Sequence, residues 1–259
     1  MNNLYTVKQA SGPLISLALH DGHFIDEDIL AHIGLDEHER FREEDPYTAY
    51  MADLPVTQVV VHFSRFMVDL NRSKDKAIYK KEEDAWGLKV WRNEFPNELE
   101  STLMNYYNQF YEEMDKLINE KIKSYGYFLI LDIHSYNHRR QSPKQASPSS
   151  GNPEINLGTY YNHPKWQAIA KKLMGYLASS KINGEFPDVR ENIIFKGGGF
   201  SQWVNQMYGD KGSVISIEFK KTFMDEWTGR VDVQHLLDIN NALNGALPML
   251  NYELTEIQK

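Results

Sequence analysis

Four short apolar runs, each the length of a β-strand, are spread along this chain, and a polar residue capable of chemistry stands at or near the end of each. Leu14 to Leu19 stops at His20. Thr57 to Phe63, rich in β-branched residues, leads into Ser64-Arg65, with Phe66 to Leu70 continuing or following that strand and running into Asn71-Arg72. Tyr127 to Ile133 stops at His134, and Val214 to Phe219 carries Glu218. Between the runs lie helical patterns. Asn97 to Lys123 spaces Leu99, Leu103, Tyr106, Phe110, Met114, Leu117 and Ile122 mostly three or four apart, which predicts a long amphipathic helix. Pro164 to Ser179 and Val233 to Leu247 read as two further helices, and residues 137–153, ending Ser/Pro-rich, as a loop.

Strands alternating with helices predict an α/β fold, a central mixed and largely parallel sheet flanked by helices. At 259 residues the chain suits one large domain spanning 1–259. Ligands of such sheets gather beyond the carboxyl ends of the strands. The sequence places its polar groups there: His20, Asn71-Arg72, His134 and Glu218.

Composition narrows what those groups can do. There is no cysteine, so disulfides, a catalytic thiol and thiolate metal sites are excluded, and any metal must be held by the nine histidines and the carboxylates. A net charge of −8 argues against nucleic acid or an anionic membrane as partner, since both need a cationic face. Met1 to Tyr5 lacks a basic segment followed by an apolar one, and no run of about 18 apolar residues occurs. The expected setting is the cytoplasm and the expected partner a small molecule; nothing in these patterns points to a particular oligomeric state.

Several residues carry two readings. His20 and His134, 114 positions apart, are either partly buried hydrogen-bonded imidazoles or two metal ligands that the sheet brings together. Arg72 with Asn71 suits the bidentate grip of a carboxylate, and equally a surface turn; Arg65 either joins Arg72 in one cationic pocket or stands apart. Glu218 is a solvent-facing carboxylate by alternation, or a general base beside a metal-bound water. Lys196-Gly197-Gly198-Gly199 lacks the spacing of a phosphate loop and reads as a turn that lets backbone approach a ligand. Asn137-His138-Arg139-Arg140 has no aromatic ladder for nucleic acid and reads as an active-site loop.

Taken in order, these segments resemble the N-formylglutamate amidohydrolase family from Ile15 to Glu226. The resemblance is carried by the stretch from Val61 to Arg72, by Leu131-Asp132-Ile133-His134-Ser135, and by Ile217-Glu218-Phe219 with Phe223 to Glu226. Weaker elements are His20-Asp21-Gly22, Asn156 to Thr159, Lys196-Gly197-Gly198 and Tyr208-Gly209; Leu19 and Gln206 stand where many members have Pro and Arg. The resemblance implies a zinc carboxypeptidase-like fold and a hydrolase of N-acyl amino acids in amino-acid catabolism, N-formylglutamate first. It implies one zinc ion per chain on His20, His134 and a carboxylate, with Glu218 as general base and Arg65, Asn71 and Arg72 at the substrate. Arg72 or Arg65 would also stabilise the oxyanion. For the third ligand Asp45, in Arg42-Glu43-Glu44-Asp45, is preferred to His23, because mixed His/carboxylate sets are the commoner precedent for hydrolytic zinc. A zinc carboxypeptidase and a non-catalytic binding module on the same fold are the alternatives.

Overall fold

The computed structural model describes residues 4–257, so Met1, Asn2 and Asn3 of the N-terminal stretch read above lie outside it. The described strands are β1 (Tyr5–Lys8), β2 (Leu14–Ala18), β3 (Thr57–Val61), β4 (Phe128–Tyr136), β5 (Ile155–Gly158), β6 (Val189–Glu191) and β7 (Gly212–Lys220). They form one sheet in the order β1-β3-β2-β4-β7-β5-β6. The neighbours β3, β2, β4 and β7 run parallel, while β1 on β3 and β5 on β7 are antiparallel. The helices are α1 (Glu27–Leu30), α2 (Glu37–Glu43), α3 (Thr48–Met51), α4 (Glu100–Tyr125), α5 (Gln167–Ala178), α6 (Gly199–Tyr208) and α7 (Val233–Ile257). This is the mixed α/β sheet expected from the alternating pattern.

The parallel strands are covered on both faces, which is why they read as continuous apolar runs. Successive side chains divide between two cores. Leu129, Leu131 and Ile133 of β4 join Ile215, Ile217 and Phe219 of β7 beneath α5 and α7. Phe128, Ile130 and Val214 face the other way, toward α4. By the two-residue period of a strand, Asp132 and His134 share the face of Ile130, and Ser216 and Glu218 that of Val214. That face therefore turns polar at its carboxyl end.

The structure also alters several boundaries. β4 continues through His134 to Tyr136, and β7 spans Gly212 to Lys220, because the backbone ladder persists after the side chains turn polar. Phe66, Met67, Val68 and Leu70 are buried but lie in turns and irregular backbone, so they follow β3 without extending it. α7 runs past Pro248 to Ile257; a proline costs the helix one donor, and burial of Leu250 and Leu254 against the second core outweighs that loss. The short strands β1, β5 and β6 and the helix α6 had no clear pattern in the sequence. Among the described residues no helix is long and apolar enough to cross a membrane.

Candidate metal centre and active site

Three adjacent strands deliver the site. Their register pairs Asp132 with Ser216 and His134 with Glu218 across β4 and β7. His20 lies two residues beyond β2, the neighbour of β4 on its other side. Asp45 arrives by a different route. Asp36 and Glu39 cap the start of α2 reciprocally, Glu39 N–H to Asp36 Oδ1 at 2.8 Å and Asp36 N–H to Glu39 Oε2 at 2.9 Å. Beyond the helix, Asp45 N–H donates to the His20 carbonyl at 2.9 Å, which ties the two side chains to one point.

His20, Asp45 and His134 are all buried, and one ligand atom from each falls within 4.8 Å of the others. Asp45 Oδ2 lies 3.4 Å from His20 Nδ1 and 3.0 Å from His134 Nδ1. The far nitrogen of each ring meets a second carboxylate: His20 Nε2 is 2.8 Å from Asp69 Oδ1, and His134 Nε2 is 2.9 Å from Asp132 Oδ2. An ionised carboxylate can only accept, so each Nε2 carries a proton, and a cation bound beside Asp45 would take the lone pair of each Nδ1. His20 Nδ1 is buried with no hydrogen-bond partner. Two ring nitrogens and a carboxylate oxygen thus converge on a point that calls for positive charge, which the imidazole protons supply where no cation is bound. The donor set and its outer carboxylates fit a divalent cation such as zinc.

The electrostatics agree. Burial works against ionisation of Asp45, but hydrogen bonding and charge from His134 and His20 outweigh it and keep its carboxyl below the usual range. Burial likewise opposes a charged His134, yet Asp132 and Glu218 raise its pKa well above that of a free imidazole. Glu218 behaves differently. Burial pushes its carboxyl up to about 8; His134 offsets part of that rise, and Asp45 and Asp132 add to it. The open question about Glu218 is answered in geometry: it is buried and faces the cluster, not solvent.

Arg65, Asn71 and Arg72 line the same cavity, of about 400 Å³, as His20, Asp45, His134 and Glu218. The two arginines therefore share one pocket. Arg65 Nη2 is 2.8 Å from Asp69 Oδ2, and Tyr79 also donates to that carboxylate. Arg72 donates to the Asp84 carbonyl at 3.0 Å and lies over the Tyr79 ring. Asn71 is held by the glycine turn: Gly199 N–H donates to its carbonyl at 2.7 Å, and Phe200 N–H to its Oδ1 at 3.3 Å. A Cβ on Gly198 would fall 2.1 Å from Asn71 Oδ1, so the glycine admits a side chain and not a ligand.

His23 lies apart from the cluster, its side chain one-third exposed and Nδ1 2.5 Å from Glu44 Oε2. Gln206 does not line this cavity; it lines a neighbouring depression with Asn108 and Trp203, which Asn71 and Arg72 also border. Asn137 and Arg140, in the segment read as an active-site loop, line the cavity, while sequence reasoning did not assign a role to Asp69, Asp132, Lys221, Glu43 or Trp86, all in or directly behind its wall. Asp132 carried a readable signal, standing two residues before His134 in an apolar run. Lys221 carried none: its buried ammonium donates to the carbonyls of Arg42 and Glu44, both at 2.6 Å, and so fixes the turn that presents Asp45.

A family model described as N-formylglutamate amidohydrolase matches residues 12–224. The crystal structure of N-formylglutamate amidohydrolase from Ralstonia eutropha superposes with a TM-score of 0.73 at 15% identity, over 95% of this chain and 97% of that one. A gene product of Agrobacterium tumefaciens superposes with a TM-score of 0.68 at 16% identity, over 100% of this chain and 97% of its own. A metallo-carboxypeptidase from Pseudomonas aeruginosa, at a TM-score of 0.37 and 15% identity over 95% of this chain and 61% of that one, is too loosely alike to support an argument. No curated protein matches the chain. With the match covering most of its length, the chain belongs to the N-formylglutamate amidohydrolase family.

Proposed function

We propose that this chain is a zinc-dependent amidohydrolase that cleaves the amide of an N-acyl amino acid, with N-formylglutamate as the first substrate. The observation that carries the reading is the buried convergence of His20, Asp45 and His134 beside Glu218 in one arginine-lined cavity. His20, Asp45 and His134 hold the ion. When bound, zinc supplies Lewis acidity, polarising the scissile carbonyl and easing deprotonation of water.

The protein's own groups do the rest. Glu218 takes the proton of the attacking water on its carboxylate and returns it to the departing amine. Arg72 and Asn71 grip the substrate carboxylate, and Arg65, already oriented by Asp69, faces the oxyanion as charge develops on it. Asp69 and Asp132 keep each imidazole in the tautomer whose Nδ1 is free to ligate.

A panel of formyl-, acetyl- and succinyl-amino acids with short peptides, assayed on zinc-replete protein, tests the proposal. The expected result is about one zinc per chain and fastest turnover of a formyl amino acid. Preference for peptides would replace the reading by a carboxypeptidase. Less than about half a zinc per chain with no turnover would replace it by a non-catalytic module.

A further inference from the structure

Three guanidinium groups reach the cavity, and two are engaged with its framework. Arg65 is bound to Asp69 and donates to the Tyr79 hydroxyl at 3.2 Å, while Arg72 is turned toward the Asp84 carbonyl. The third, Arg140, makes a forked contact with one carboxylate: Nη2 to Glu43 Oε2 at 3.1 Å and Nη1 to Glu43 Oε1 at 3.4 Å. Glu43 would not be stranded without it, since Arg42 Nη1 lies 3.6 Å from the same carboxylate.

The backbone around Arg140 is fixed more firmly than a surface ion pair requires. Glu226 accepts from the N–H groups of His138 at 2.8 Å and Arg139 at 2.6 Å. Arg42 donates to the carbonyls of Arg139 and Arg140, at 3.3 and 3.1 Å, and Trp227 Nε1 to that of Arg139 at 2.9 Å. The base of the side chain is thus held while its guanidinium, nearly half exposed, remains free to exchange partners. Trp86 supplies the wall behind it. Its ring lies under both Arg65 and Arg140, 4.9 and 5.5 Å from their guanidinium carbons. It is held there at φ 55°, a left-handed conformation that a bulky residue adopts only under constraint.

We infer that Arg140 is a specificity-determining residue, reading a second carboxylate on the amino-acid part of the substrate by exchanging Glu43 for it. The inference rests on the amidohydrolase reading for what the substrate is, but not for whether Arg140 binds a carboxylate. The ligand class is an amino acid with an acidic side chain, because a planar fork on Arg140 matches a carboxylate and leaves an uncharged amide with one poorly placed acceptor.

Calorimetric titration of L-glutamate and L-glutamine into zinc-loaded wild type and Arg140→Gln tests this apart from turnover. Wild type should prefer glutamate by about tenfold or more, and the variant should lose that preference with glutamine binding unchanged. The same selectivity should disappear from kcat/KM for the formyl derivatives, with kcat on formylglutamine retained. Glu43→Gln, which leaves Arg140 in place and removes its competitor, should tighten glutamate binding severalfold. Equal binding of the two amino acids by wild type, a preference that survives in Arg140→Gln, or weaker glutamate binding in Glu43→Gln would each overturn the proposal. A glutamate preference without any amide hydrolysis would instead overturn the amidohydrolase reading and leave Arg140 as assigned.

Discussion

The floor and the mouth of the cavity are built from different materials. At the floor, His134 and Glu218 belong to the long buried strands β4 and β7, His20 lies two residues beyond the end of β2, and both imidazoles have a second carboxylate behind them. At the mouth, Trp86 and Arg140 project from irregular segments, half exposed, and are held by stacking and by ion pairs that can exchange. A reacting centre needs atoms fixed to a fraction of an ångström, which strands and buried hydrogen bonds supply. Recognition of a substrate that must enter and leave needs groups that give way. Substitutions at the floor should therefore change kcat and metal content, and those at the mouth KM and selectivity.

The largest effect separates chemistry from ligation within the floor. Glu218→Gln keeps the shape of the residue and removes its basicity, so kcat should fall about a thousandfold while zinc content stays near that of wild type. Metal analysis alongside steady-state kinetics reads both quantities. Retained activity would exclude Glu218 as the base, and lost zinc would make it a ligand.

Next in size is the carboxylate behind the histidine. Asp69 orients His20 and anchors Arg65 and Tyr79; burial would raise its carboxyl, but Arg65 and His20 hold it well below the ordinary range. Asp69→Asn, which can present an amide to His20 Nε2 and permit the wrong tautomer, should weaken zinc by about 10–100-fold in a chelator competition. An unchanged zinc affinity would mean that the His20 ring is held by its packing alone.

Lys221 tests the floor through pH. Burial pushes its pKa down to about 8 from an ordinary 10.5. Below pH 8 both folded and unfolded chains carry the proton, and the buried charge costs stability. Between pH 8 and 10.5 the unfolded chain binds more protons than the folded one, so the Lys221 contribution makes stability rise with pH across that window. Lys221→Met should flatten this slope in denaturant titrations. It should also weaken zinc by about tenfold, since the carbonyls of Arg42 and Glu44 lose the donor that fixes Asp45. A slope identical in both proteins would mean that the ammonium is not carried into the fold.

The same contrast governs what could be read from the sequence. Strands buried on both faces leave long apolar runs, and a polar residue that interrupts one is conspicuous, so β2, β3, β4 and β7 and the placement of His20, His134 and Glu218 were legible. Asp45 was reached only through the family resemblance, because a run of Arg42-Glu43-Glu44-Asp45 looks like any solvated helix end. Arg140 was legible only as part of the basic cluster read as an active-site loop, because its partner Glu43 lies about a hundred positions away, and Lys221 was invisible because its partners are backbone carbonyls still more distant, which leave no local pattern. The edge strands β5 and β6 are too short for periodicity, and the helix α6 begins on glycines that mimic a loop.

His23 should give the smallest effect, and it bears most directly on the division between floor and rim. It stands three residues after His20, where a second histidine ligand would be easy to imagine, yet its Nδ1 is engaged by Glu44 and its ring packs against Phe41. Glu44 keeps other partners when that ring is removed: Ser64 donates to it, and Arg40 Nη1 lies 4.0 Å away while also donating to the His23 carbonyl. His23→Ala should therefore cost about 1 kcal/mol of stability in denaturant titrations, the scale of one hydrogen bond. Zinc affinity should stay within about threefold of wild type, a change expected of a contact one step removed from the ligands. His20→Ala, by contrast, removes a donor from the cluster itself and should lose the metal. Equal zinc loss in the two variants would place His23 in the ligand set and erase the boundary drawn here between the fixed floor and the loops above it.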